Sequence, residues 1–139
     1  MQNEAVTELS AGTLGNVTFQ EIYIWNSNLA TVDPSVVLSS KDRLEHLSIE
    51  SSRLTNFPFD LLPQMPLLRT LSLADNSLKS VPAVTSPSLE DLDVSLNEID
   101  ALVSDWSVPS LKKLNISEYN HAYQCALIVH KFYYFNYCK

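Results

Sequence analysis

Glycine is scarce in this chain. Only Gly12 and Gly15 occur in 139 residues, which excludes a collagen-like or low-complexity chain and leaves Asn, Ser and Pro to make the turns. Basic residues are also few: 9 Lys and Arg face 16 Asp and Glu, for a net charge of −7 and a pI near 4.7. That balance argues against a protein that tracks nucleic-acid phosphates or docks on an anionic membrane, and it suits a basic partner. No apolar run reaches the roughly 18 residues of a membrane span, and the opening MQNEAVTELS lacks the regions of a secretory signal. Catalytic motifs are absent too. There is no Gly-rich phosphate loop, no Gly-x-Ser-x-Gly turn and no His-Glu-x-x-His run, so no catalytic residue is expected. Asp91 and Asp93 point the same way from one strand, but an open face does little to raise either pKa for acid–base work. The two cysteines, Cys125 and Cys138, leave a disulfide open in an oxidising compartment. Their spacing with His121 and His130 fits no standard zinc pattern, and neither a metal nor another cofactor is expected.

What is present is self-similarity. FQEIYIWNSNL from Phe19, LEHLSIESSRL from Leu44, LRTLSLADNSL from Leu68, LEDLDVSLNEI from Leu89 and LKKLNISEYNH from Leu111 align on one another. The first four share apolar-x-x-apolar-x-apolar-x-x-(Asn/Ser)-x-apolar; the fifth keeps the first half. The starts are 25, 24, 21 and 22 residues apart. Within each, apolar-x-apolar stretches such as Leu47-Ser48-Ile49 and Leu92-Asp93-Val94 alternate with period two, as in a short strand with one buried face. One such segment cannot bury its apolar side chains alone, so neighbours stack above and below and the strands form a parallel sheet. Each fully buried side chain then contributes on the order of 1.5–3 kcal/mol.

Asn76 and Asn97 interrupt this leucine pattern at equivalent places. Beyond the strand the chain turns inward and its backbone groups lose ladder partners, which an amide that both donates and accepts supplies. Ser27 and Ser52 hold the same column with a shorter side chain, and looser turns are expected there. The proline-containing connectors TNFPFDLLPQMP, KSVPAVTSPS and ALVSDWSVPS disfavour long helices. In residues 30–43, Asp33-Pro34 is an N-cap and first-turn pair for one helical turn.

This pattern and spacing resemble the leucine-rich-repeat superfamily over residues 19–118, and the short connectors resemble its extracellular class. The lines FPFDLLPQMPLLRTLSLADNSLKSVP and PSLEDLDVSLNEI are similar to arthropod secreted repeat proteins, including the non-catalytic subunit of a luciferase-type complex. The resemblance implies an α/β solenoid: a horseshoe arc with a short-stranded parallel sheet on its concave face and irregular or 3₁₀ segments on the convex side. It also implies a non-enzymatic protein-binding module. Two alternatives stand beside it, a non-catalytic subunit stabilising a secreted oxidoreductase and a cytosolic scaffold or regulator.

The ends depart from the pattern. Residues 1–18 read as an incomplete first repeat or cap, and residues 119–139 as an atypical aromatic and cysteine-bearing tail. Without the family's cysteine caps the chain is expected to be a fragment of a secreted or cell-surface protein, or else to dimerise through its open ends. Asn16 and Asn115 begin N-glycosylation triplets, which fit the extracellular reading. The solvent columns of the strands then define the expected binding face. Tyr23, Trp25, His46, Glu50, Asp91 and Asp93 are its candidate residues for a protein ligand, a basic one suiting the carboxylates. Tyr23 and Trp25 read equally as interface anchors or as a cover for the open sheet edge.

Overall fold

In a computed structural model of the chain, residues 6–10, 12–103 and 105–117 are described. The tail from 119 to 139, with Cys125, Cys138, His121 and His130, lies outside them.

Each recurring segment delivers one strand to a five-stranded, all-parallel sheet. The strands are β2 (Glu21–Trp25), β4 (His46–Glu50), β5 (Thr70–Ser72), β7 (Asp91–Asp93) and β9 (Lys113–Asn115), in that spatial order. Before β2 lies β1 (Glu8–Leu9); between β2 and β4 come β3 (Thr31–Val32) and the helix α1 (Pro34–Leu38); β6 (Ser80–Val81) and β8 (Ala101–Leu102) follow β5 and β7. The register is unslipped: Leu47, Leu71, Leu92 and Leu114 stand side by side in one row. Alternation accounts for it. A shift by one residue would turn every leucine outward and every polar neighbour into the core, whereas Leu47, Ile49, Leu71, Leu73, Leu92 and Val94 are all buried.

The return path recurs with equal regularity. Two-stranded parallel pairs form between β1 and β3 and between β6 and β8. The strands β3, β6 and β8 each begin ten residues after the first residue of the preceding main strand. After β4 the chain takes a 3₁₀ helix instead, Phe59–Gln64, which buries Phe59, Leu61 and Leu62 and keeps Pro63 within it. Asp33 caps α1, its carboxylate accepting the Ser35 N–H at 2.8 Å and the Ser35 hydroxyl at 2.6 Å, with Pro34 in the first turn and Val36 and Val37 buried. A single core runs between the sheet and these return segments, from Leu9 and Ile22 to Val108 and Leu111.

The turns out of β2, β4, β5 and β7 each use the left-handed region at one position. Asn26, Ser51, Asp75 and Leu96 have φ of 50°, 48°, 56° and 57°, each five residues after the start of its strand. Asn and Asp take that conformation readily, whereas Leu96 does so at a steric cost. The residue after each is Ser27, Ser52, Asn76 or Asn97.

Candidate functional site

The turn column and the sheet face are separate sites with different chemistry. In the turn column, Asn76 is 8% exposed and Asn97 is 7% exposed. The Asn76 Oδ1 accepts the Leu54 N–H at 3.0 Å, and its Nδ2 donates to the carbonyls of Ile49 at 2.7 Å, Leu73 at 3.1 Å and Ala74 at 3.2 Å. Asn97 repeats this one segment on: Oδ1 accepts the Leu78 N–H at 2.9 Å, and Nδ2 donates to Leu73 at 2.8 Å, Val94 at 3.0 Å and Ser95 at 3.1 Å. Each amide joins its own turn to the preceding one, and both reach the Leu73 carbonyl. Ser27 and Ser52 are half-buried and make fewer bonds. Their hydroxyls meet at 2.8 Å, Ser52 donates to the Glu50 carbonyl at 3.0 Å, and Ser27 accepts the Leu29 N–H at 3.3 Å.

On the outward face of the sheet the expected residues fall into two groups. Tyr23 and Trp25 lie on β2, 52% and 66% exposed, and in register with Ser48 and Glu50. His46 and Glu50 are on the adjacent β4, both half-buried, with His46 opposite Glu21. The Glu50 carboxylate accepts the Ser48 hydroxyl at 3.0 Å. Partial desolvation, followed by the charge of Glu21 and a hydrogen bond to it, pushes the Tyr23 phenol above its ordinary pKa.

Asp91 and Asp93 stand away from these residues, on β7, and the structure spends their charge internally. Lys113 on β9 reaches Asp91 at 3.3 Å, and beside it Lys112 reaches Glu90 at 2.6 Å. That contact draws the Glu90 carboxyl below its ordinary pKa. Asp93 accepts the Asn115 side-chain amide at 2.9 Å together with the N–H and hydroxyl of Ser95. Lysine and amide donors from β9 thus lie in register beside Asp91 and Asp93. Ser95, two residues beyond Asp93, is 6% exposed: the strand has ended at Asp93, and the Ser95 N–H and hydroxyl turn back onto the Asp93 carboxylate.

Of the two glycosylation triplets, Asn16 sits on an exposed turn. Asn115 lies within β9, where its amide is engaged with Asp93 and its carbonyl oxygen accepts from Ser117 at 3.0 Å. Among the described residues no group of three or more His, Cys, Asp and Glu side chains is arranged to hold a metal ion, and no helix is long and apolar enough to cross a membrane.

Sequence reasoning missed a cleft beside β2. It has a volume of about 450 Å³ and is lined by Val6, Leu9, Leu14, Phe19, Ile24 and Leu29, with Tyr23 and Trp25 at its rim. The isolated apolar positions Val6, Leu9 and Leu14 were its only trace in the sequence.

Comparison with known proteins finds partial similarity, at a coarse level, to proteins of the leucine-rich-repeat type. It is 31% identical over 116 residues to the Oplophorus-luciferin 2-monooxygenase non-catalytic subunit of Oplophorus gracilirostris, which covers 81% of this chain and 32% of that protein. It is 33% identical over 81 residues to leucine-rich repeat serine/threonine-protein kinase 1 of Caenorhabditis elegans, covering 54% of this chain and 3% of the kinase. With receptor-like protein 9b of Arabidopsis thaliana it shares 34% identity over 112 residues, 76% of this chain and 12% of the relative. The chain thus spans a third or less of each of these relatives. No protein-family model matches it, and no solved structure matches it significantly.

Proposed function

We propose that the chain is a non-enzymatic, protein-binding module of the leucine-rich-repeat type, a solenoid whose sheet forms the concave recognition face. The observation that carries this reading is the sheet itself. Five parallel strands in unbroken register fix an apolar inner row, so the outward rows are free to vary and to present Tyr23 and Trp25 to a partner. Asn76 and Asn97 act as the structural ladder of this scaffold, with Ser27 and Ser52 as its shorter members.

The proposed setting is extracellular, supported by the exposed Asn16 triplet and by the likeness to the Oplophorus subunit. That likeness, over 81% of the chain, also favours a more specific reading in which the partner is a separate secreted catalytic subunit.

Affinity capture from a secreted fraction tests the module. The chain should retain a protein saturably and stoichiometrically, and Trp25→Ala and Ser72→Lys on the outward face should each reduce retention, while Gln64→Lys in the 3₁₀ helix should not. Equal retention by all three variants would place binding elsewhere and refute the proposed face. A retained oxidoreductase would single out the subunit reading.

A further inference from the structure

The turn out of β7 holds a residue ill suited to its backbone. At the equivalent turns the left-handed position is Asn26, Ser51 or Asp75; here it is Leu96, at φ 57°. Stacking imposes the conformation. Asn26 donates its N–H to the carbonyl of Glu50 at 3.2 Å, Ser51 to Ala74 at 3.2 Å, Asp75 to Ser95 at 2.9 Å and Leu96 to Ser117 at 2.7 Å. The register that aligns the leucine row thus holds Leu96 where its Cβ crowds the following carbonyl, a conformation that Asn or Asp accepts at far less cost. Nothing inside the fold offsets that cost. Leu96 is half-buried. Among the described residues it belongs neither to the buried core nor to the partly buried apolar side chains packed on that core, whereas Ile99 and Leu114 do. The charge around it is acidic. The bond from the Asp75 N–H to Ser95 sets Asp75 beside Leu96, and Glu98 lies two residues further on. Both carboxylates are exposed, and neither takes part in the ion pairs of the described residues, Lys112–Glu90 and Lys113–Asp91. A strained residue without internal compensation points to a role in function.

We propose that Leu96 is a contact residue for a protein partner, an apolar knob at the exit of β7 that enters an apolar pocket bordered by lysine or arginine. Asp75 and Glu98 flank the knob and answer those cations. A polar residue at position 96 relaxes the turn but loses the contact, so stability and binding pull in opposite directions at this one position. The strand that leads into the turn lies inside the sheet, between β5 and β9. A second copy of this chain suits the knob poorly, because each copy carries a net charge of −7. The inference rests on the protein-binding reading and adds an anchor to it, together with the chemistry of the surface that this anchor meets.

The test measures stability and binding on the same variants of the full chain. Leu96→Asn places a residue suited to the turn and should raise the melting temperature by about 3 °C. The binding probe is the protein recovered in the capture experiment, purified and labelled for fluorescence anisotropy. Leu96→Asn should bind it roughly tenfold more weakly. Leu96→Met keeps an apolar side chain in the same turn and should change neither quantity. The paired change Asp75→Ser and Glu98→Gln should weaken binding and flatten its salt dependence. Undiminished binding by Leu96→Asn overturns the contact, and a melting temperature that does not rise overturns the strain behind it. Unaltered salt dependence in the paired variant overturns the basic border of the pocket. Sedimentation showing a dimer that Leu96→Asn dissolves would give the knob to a second copy instead. Retention that falls with Trp25→Ala or Ser72→Lys but not with Leu96→Asn removes this site alone and leaves the protein-binding reading standing; a chain that retains no protein removes both.

Discussion

Replacing Asn76 by alanine removes a side chain whose value lies in what it leaves behind. The Leu54 N–H and the Ile49 carbonyl lose the amide, whereas the Ala74 carbonyl keeps the Ser51 N–H at 3.2 Å and the Leu73 carbonyl keeps Asn97. Two buried groups without this partner cost about 1–3 kcal/mol each, so a loss of about 3 kcal/mol is expected once partial relaxation is allowed. With a urea slope of about 2 kcal/mol/M, the unfolding midpoint falls by about 1.5 M. Ser52→Ala removes one half-buried hydroxyl with two partners and should cost about 1 kcal/mol. Asn97→Ala should resemble Asn76→Ala.

The double variant is the sharper test, because only there is the Leu73 carbonyl abandoned by both amides. It should be less stable than the two single changes summed, by about 1 kcal/mol. Circular dichroism of the full chain in urea measures all four variants. Additive single effects, or an Asn76→Ala cost no greater than that of Ser52→Ala, would refute the claim that the amides join successive turns.

Two further outcomes follow from the same turns and caps. Asp75→Val places a β-branched residue at φ 56° on an exposed turn and should cost about 1–2 kcal/mol; Asp75→Gly should be near neutral, and equal melting temperatures for the two would contradict the strain argument. The Asp33 carboxyl is held below its ordinary pKa by the Ser35 hydroxyl first and the Ser35 N–H second. Its ionised form is thus favoured in the folded chain, and the stability it contributes is present above the unfolded pKa and lost as pH falls through the lowered folded value. Hydrogen exchange in α1 should accelerate over that acidic window relative to Asp33→Asn, and superimposable pH profiles would sink the cap assignment.

Much of the architecture was legible because it is periodic. Leu47-Ser48-Ile49 and its counterparts alternate, and a period of two leaves little freedom over which side chains enter a core, so a parallel sheet of short strands followed from the pattern. Asp33-Pro34 announced a helix start for a local reason, since cap and ring act within one turn. The polar face was harder to read. Glu50 and Asp91 are alike in sequence, both outward carboxylates on a strand, yet only Asp91 has a lysine beside it in register, 22 residues further along. The cleft was harder still, because Val6, Leu14 and Phe19 obey no common period and meet only when the amino-terminal segment lies beside β3.

By itself, the amino-acid sequence determined the recurrence, the inward columns and the places where Asn76 and Asn97 break them, since these depend on spacing along the chain and on the transfer of apolar groups from water. Tertiary structure alone decided which charges are answered. Those are contacts between segments 20 or more residues apart, and an ion pair such as Lys113–Asp91 exists only when register brings its two sides together.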